Sequence, residues 1–76
     1  MKNNFHPKSI VSINANIDPS SIIGPNCVIG ENVKIENSVI LDSCSIGNNV
    51  QIKNSIICGK TIIDDGTMLY EEIVRS

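Results

Sequence analysis

Aliphatic residues recur along this chain at steps of six residues, with a few steps of five. The series starts with Ile17, Ile23 and Ile29 and continues to the last repeat. Its members are Ile17, Ile23, Ile29, Ile35, Ile40, Ile46, Ile52, Ile57, Ile63 and Leu69. An α-helix does not keep this spacing, because its apolar stripe returns every three to four residues. The period therefore predicts a solenoid of short strands.

Three consecutive segments of equal length align without a gap. They are PSSIIGPNCVIGENVKI (19–35), ENSVILDSCSIGNNVQI (36–52) and KNSIICGKTIIDDGTML (53–69). Ser21, Ser38 and Ser55 fall in one column of this alignment. Each segment is therefore expected to form one coil with three short strands. The five-residue steps recur at the same point of the coil, so one shortened corner keeps neighbouring coils congruent.

Small side chains and turn-forming residues complete each repeat. Four positions after an aliphatic residue stand Ser21, Cys27, Val33, Cys44, Val50, Thr61 and Thr67. The even separation predicts that both positions point inward, as in a strand bent at a corner. The residue just before four of these small ones is Asn26, Asn32, Asn49 or Gly66, types that tolerate the left-handed backbone conformation. We expect Asn37 and Asn54 to stack as an amide ladder at the shortened corner.

Composition narrows the class of protein. The 76 residues allow one small domain, and fifteen Ile, six Val and ten Asn stand against one Phe, one Tyr and no Trp. A net charge of -2 with scattered signs gives no basic stripe, so nucleic acid is not an expected partner. No apolar run can span a bilayer, and Met1 to Ile10 lacks a signal-peptide core, so we expect a cytoplasmic protein.

The residues with reactive or metal-binding side chains favour structural roles. Three cysteines without CxxC spacing are expected to be reduced core thiols, with Cys58 nearer the surface, where Lys60 could lower its pKa if the two were close. The acids Glu31, Asp42, Asp64 and Asp65 fall at corner or outward positions of the repeat, and Asp64 and Asp65 are typical of a turn before Gly66. No metal site and no cofactor are expected.

The segment SSIIGPNCVIGENVKIENSVILDSCSIGNNVQIKNSII resembles the left-handed β-helix of hexapeptide-repeat proteins. IENSVIL and IKNSII are similar to the C-terminal β-helix of sugar-phosphate nucleotidylyltransferases of the mannose-1-phosphate guanylyltransferase type. This resemblance, over about Ile17 to Leu69, implies an all-β, left-handed parallel β-helix of about three to four coils. It implies a domain for assembly or regulation and a separate nucleotidylyltransferase chain as a partner. The catalytic domain of that family has no counterpart here, so none of its catalytic residues can be carried over.

Two other families on this fold are enzymes. The acyltransferases form trimers with active sites between subunits and use a histidine as general base. Here the one histidine is His6, outside the repeats and followed by Pro7, which makes it a weak catalytic candidate. The carbonic-anhydrase branch binds zinc through three histidines, which this chain does not have.

The ends of a solenoid expose its core and its unpaired strand edges. We assign residues 1–16 to an N-terminal flank and cap, 17–69 to the β-helix and 70–76 to a C-terminal cap or tail. The expected covers are Phe5 with Ile10–Ile13 at the N-terminus, and Met68, Leu69, Tyr70, Ile73 and Val74 at the C-terminus. Because so small a core commonly needs further support, we expect a homo-oligomer, first a trimer, with end-to-end stacking as the competitor.

The sequence thus favours a non-catalytic β-helix module for assembly or regulation. The alternative is a minimal acyltransferase-like trimer that binds acetyl-CoA or a sugar nucleotide between subunits; if the chain is an enzyme, it is a transferase. The ligand-binding residues stay unknown. Met1 and the polar Arg75 and Ser76 are consistent with a complete small chain, although a fragment of a larger enzyme is also open.

Overall fold

The computed structural model describes residues 7–75, and this part of the chain is built from short parallel strands without a helix. The strands are β1 (Ile10–Val11), β2 (Asn16–Ile17), β3 (Ile22–Ile23), β4 (Val28–Ile29), β5 (Lys34–Glu36), β6 (Val39–Ile40), β7 (Ser45–Ile46), β8 (Gln51–Lys53), β9 (Ile56–Ile57), β10 (Ile62–Ile63), β11 (Met68–Tyr70) and β12 (Ile73–Val74). No helix in the described residues is long and apolar enough to cross a membrane.

Every third strand pairs with the same sheet, which produces three sheets of four strands each. Face 1 consists of β1, β4, β7 and β10; face 2 of β2, β5, β8 and β11; face 3 of β3, β6, β9 and β12. All pairings are parallel. The chain is therefore a parallel β-solenoid of four turns, in agreement with the predicted all-β fold.

The register of the sheets follows the repeat that the sequence predicts. Ile29 pairs with Ile46, Ile35 with Ile52, and Ile40 with Ile57. These partners are one aligned segment apart, so the alignment of the three segments correctly predicted which residues stack. The first turn has one residue more, because Val11 pairs with Ile29 and Ile17 with Ile35. The shortened corner begins only after β5.

The paired strands extend beyond the repeats that were recognised in the sequence. β1 lies within residues 1–16, which we assigned to a flank and cap, and β12 lies within residues 70–76. Both pair in register with repeat strands, because Val11 and Val74 supply the same inward aliphatic group as their neighbours. Ile10 and Val11 are thus part of the column, and the ladders run to Val74. Of the other residues expected to form the N-terminal cap, Ile13 is fully exposed and Phe5 lies outside the described residues.

The core is a stack of aliphatic columns inside the solenoid. Within each strand one side chain points inward and the next points outward, which is the alternation of a β-strand. Twelve apolar side chains are buried: Ile23, Cys27, Ile29, Val33, Ile35, Ile40, Cys44, Ile46, Val50, Ile52, Ile57 and Ile63. At the two ends of the column Val11, Ala15, Ile17, Leu69 and Val74 are only partly buried against this core. Each fully buried isoleucine stabilises the fold by roughly 1.5–3 kcal/mol.

The corners depend on residues in the left-handed region of the backbone. Asn26, Asn32 and Asn49 have φ near +60°, and Gly66 has φ +76°. Five further residues share this conformation without glycine: Asn37, Ser43, Asn54, Lys60 and Glu71. Ser43 and Lys60 occupy the same corner position as Asn26 in their coils. Their N–H groups donate to the carbonyls of Pro25 (3.0 Å) and Asp42 (2.9 Å), which ties each corner to the one below.

Candidate functional site

The serine column inside the solenoid serves the backbone. The Ser38 hydroxyl donates to the Glu36 carbonyl (2.7 Å) and accepts the N–H of Ser55 (3.0 Å). Ser55 repeats this arrangement with Lys53 and Glu72. Each hydroxyl therefore satisfies a backbone group of its own coil and one of the next coil. The hydroxyls of Ser38 and Ser55 are thus engaged in hydrogen bonds with the backbone.

Cys27 and Cys44 form a second inner column with Ser9 and Thr61. The Cys27 thiol donates to the Leu41 carbonyl (2.9 Å) and the Cys44 thiol to the Cys58 carbonyl (3.0 Å). Burial raises the pKa of the Cys44 thiol and keeps it protonated. Cys58 is half-buried, and no hydrogen bond joins its side chain to Lys60 in the described part of the chain. The column thus consists of small core groups rather than nucleophiles.

Side chains at the corners accept hydrogen bonds from the backbone of the adjacent coil. Asp65 Oδ1 accepts the N–H of Asn48 (2.7 Å), and Asn48 Oδ1 accepts that of Glu31 (2.9 Å). At the corner between β2 and β3, hydrogen bonds from the Ser20 hydroxyl and N–H lower the pKa of Asp18. Among residues 7–75 no group of three or more histidines, cysteines and acids is arranged to hold a metal.

The predicted amide ladder is present at the shortened corner. Asn37 Nδ2 donates to Asn54 Oδ1 (2.6 Å), and both residues have positive φ. The Asn37 N–H donates to the Ser20 hydroxyl (2.9 Å). The ladder therefore stabilises consecutive turns of the solenoid.

The outer surface of face 2 is polar except at Met68. Lys34, Gln51 and Met68 form one outward column, and Glu36, Lys53 and Tyr70 form the next. Lys53 and Glu36 make an exposed ion pair (3.5 Å), and the Tyr70 hydroxyl donates to Gln51 Oε1 (3.1 Å). A depression of about 160 Å³ on this face is lined by Lys34, Glu36, Gln51, Ile52, Lys53 and Tyr70. Tyr70 therefore points away from the open end of the column, which it was expected to cover.

The outer surfaces of faces 3 and 1 are aliphatic. On face 3 the outward residues of the four strands are Ile22, Val39, Ile56 and Ile73. Ile22, Ile56 and Ile73 are 62%, 41% and 61% exposed. On face 1 the outward residues are Ile10, Val28, Ser45 and Ile62, all exposed. The sequence contained the signal for these columns, because the first member of each pair such as Ile22-Ile23 must point outward when the second points inward.

The structure brings the predicted ladder residues together as columns and places the four predicted corner residues at corners. The weak catalytic candidate, His6, lies outside the described residues. The outward aliphatic columns were not among the site residues predicted from the sequence, because no polar or reactive side chain marks them. On face 3 the column is aliphatic in all four turns, and on face 1 it is interrupted by Ser45.

Comparison with known proteins identifies relatives of the whole chain and of part of it. Residues 2–75 match the family described as the GMPPB C-terminal domain. A stretch of 33 residues is 52% identical to an acyl-[acyl-carrier-protein]--UDP-N-acetylglucosamine O-acyltransferase from Thermodesulfovibrio yellowstonii. That match covers 43% of this chain but only 13% of the acyltransferase. No solved structure gives a significant match.

Proposed function

Because the chain belongs to the GMPPB C-terminal domain family and is a left-handed parallel β-helix, we propose that it is a non-catalytic module that drives protein assembly. The observation that carries this proposal is the unbroken aliphatic column on the outside of face 3. Four successive coils carry an outward aliphatic group here, three of them exposed, and these groups lie outside the core of the chain. They are suited to contact with another protein surface.

The size of the apolar surface favours a contact that uses two faces. The exposed side chains leave on the order of 300–400 Å² of apolar surface on each of faces 1 and 3, the size of a patch that commonly marks an interaction site. A stable interface covers about 800 Å² on each partner. One face therefore supplies about half of the required area, and both together approach it.

We infer a closed homo-oligomer in which face 3 of one copy packs against face 1 of the next. A cyclic trimer is its first form, since cyclic closure satisfies both faces of every copy. Face 2, with its lysines and carboxylate, then stays in contact with water. A separate nucleotidylyltransferase chain is the hetero-partner that this assembly would serve.

The test is the solution mass of the chain, measured by light scattering on a sizing column. At the lowest concentration that the detector allows, where end-to-end stacking is minimal, we expect a trimer for the wild type and a smaller species for Ile56→Asp, because the new carboxylate lies in the centre of face 3. Met68→Asp is the matched control: it exchanges an exposed apolar side chain for the same charge on face 2 and should leave the trimer intact. A wild-type monomer, or an Ile56→Asp variant with unchanged mass, would contradict the proposal.

The 52% identity with part of an acyltransferase supports a second candidate, a minimal trimer that binds acetyl-CoA or a sugar nucleotide between subunits. Calorimetric titration of the assembled protein with acetyl-CoA and with UDP-N-acetylglucosamine distinguishes the two. Saturable binding of either ligand favours the acyltransferase-like function. An assembled protein that binds neither favours the assembly module. The cytoplasmic location stays a prediction from the sequence.

A further inference from the structure

The last turn of the solenoid presents three strand edges that point in the same direction. β10, β11 and β12 each stand at the end of their sheet. Along face 3 the N–H of Ile22 donates to Ser38 O (3.0 Å), that of Val39 to Ser55 O (3.0 Å) and that of Ile56 to Glu72 O (2.9 Å). The next donor in this series is Ile73, and residues 7–75 contain no coil beyond it. The same holds for Ile62 and Met68 on the other two faces.

A buried hydroxyl at this end lacks a partner. Four inner hydroxyls accept an N–H from the coil above: Ser9 from Cys27 (2.9 Å), Ser21 from Ser38 (3.1 Å), Ser38 from Ser55 (3.0 Å) and Ser55 from Glu72 (3.1 Å). Thr61 stands at the top of the Ser9 column and is 4% exposed. Its Oγ1 has no hydrogen-bond partner in the described part of the chain. Buried polar groups are normally paired, so this hydroxyl is positioned to accept an N–H from a further coil.

The opposite end of the chain has strand edges and inner columns that are complementary to those of the last turn. β1, β2 and β3 are the other edges of the three sheets, with the same direction and the same inner columns. Placed over the last turn, Ser9 of a second copy would lie above Thr61, as Cys27 lies above Ser9 within one chain. Val11 and Ile17 would then cover the buried Ile63 and the partly buried Leu69. All three ladders would continue in parallel register.

Charge favours this polarity over contact between like ends. The first sixteen residues contain Lys2 and Lys8 and no acid. The last sixteen contain four acids, Asp64, Asp65, Glu71 and Glu72, against Arg75. Two C-terminal ends brought together would repel each other, whereas opposite ends would not.

We propose that a second copy of this chain stacks head to tail on the last turn, with its Ser9 N–H donating to Thr61 Oγ1. The contact is separate from the lateral one and does not depend on it. Because it joins two different surfaces along one axis, it does not close on itself and gives chains of growing length.

The experiment is sedimentation velocity over about a hundredfold range of concentration, in the Ile56→Asp background, where lateral assembly is removed. We expect an average mass that rises with concentration. Met68→Pro removes an edge N–H and should weaken association by at least about fivefold. Met68→Ala, which keeps the N–H and loses the side chain, should leave it unchanged. Thr61→Val should weaken association about fivefold, the effect of one hydrogen bond.

Two results would overturn the proposal. The first is an Ile56→Asp protein that stays a single chain at all concentrations, which would leave the end to be covered by a segment of the same chain. The second is equal association of Met68→Pro and Met68→Ala, provided circular dichroism shows both to be folded. Failure of the lateral assembly is distinguishable, because it appears as an Ile56→Asp variant whose mass matches that of the wild type.

Discussion

The replacement Ser38→Ala tests whether the serine column stabilises the solenoid. Ser38 is buried in the middle of its column and takes part in hydrogen bonds with Glu36 O (2.7 Å) and the Ser55 N–H (3.0 Å) through its hydroxyl. Alanine keeps nearly the same volume, so packing changes little. Both bonds are lost, and the buried N–H of Ser55 is left without an acceptor.

The expected loss follows from the two kinds of cost. A hydrogen bond contributes about 1 kcal/mol net, and a buried unsatisfied donor costs about 1–3 kcal/mol. Ser38→Ala should therefore lower the free energy of unfolding by about 2–4 kcal/mol. Since a chain of this size has a total of about 4–11 kcal/mol, the variant loses a large share of its stability.

The assay is urea unfolding followed by circular dichroism at one fixed protein concentration, because assembly adds to the apparent stability. Ser45→Ala is the matched control: it makes the same chemical change at an exposed outward position of the neighbouring strand β7. We expect the control to stay within about 0.5 kcal/mol of the wild type. A Ser38→Ala variant as stable as Ser45→Ala would refute the reasoning.

Three further predictions concern the corners and the thiols. Gly47→Ala should destabilise the chain by about 1–3 kcal/mol, because its Cβ would lie 2.8 Å from Asp65 N and even closer to Asp65 Oδ1; thermal unfolding measures it, and an unchanged midpoint would contradict it. Lys60→Gly should raise the free energy of unfolding by about 1 kcal/mol, since it removes a side chain from a residue with φ +62°. A lower free energy of unfolding, measured in urea, would show that the corner is unstrained. Iodoacetamide should modify half-buried Cys58 first and Cys44 only on unfolding, which mass spectrometry detects; equal rates in the folded protein would be inconsistent with the buried column.

The fold could be predicted from the sequence because the residues that form the repeat are also those that set the register of the strands. Ser21, Ser38 and Ser55 align in the sequence. In the structure the Ser21 hydroxyl accepts the N–H of Ser38, and the Ser38 hydroxyl accepts the N–H of Ser55. A slip of one residue would turn Ile35 or Ile52 outward, so the hydrophobic pattern specifies one pairing. The repeat therefore carried the long-range information that is usually absent from a single sequence.

The end turns were harder to recognise for a physical reason. β1 and β12 contain only two residues each, and their inward side chains, Val11 and Val74, are not isoleucines. The extra residue in the first turn also breaks the equal spacing before Ile23. The left-handed corners at Lys60 and Glu71 were missed because these residue types do not favour that conformation. There the hydrogen bonds to the coil below hold the backbone, and the local sequence does not indicate it.

The outward position of each strand can vary without altering this fold, because inner columns and corners already specify it. Face 2 uses this freedom for Lys34, Gln51 and Lys53, whereas face 3 keeps an aliphatic residue in all four turns. A side chain such as Ile73, 61% exposed, gives one isolated chain less than half of the stabilisation that full burial would supply. Burial of this column therefore requires a second surface. We therefore expect the function of the chain to depend on the contacts of its outer faces, whereas the inner columns determine its fold.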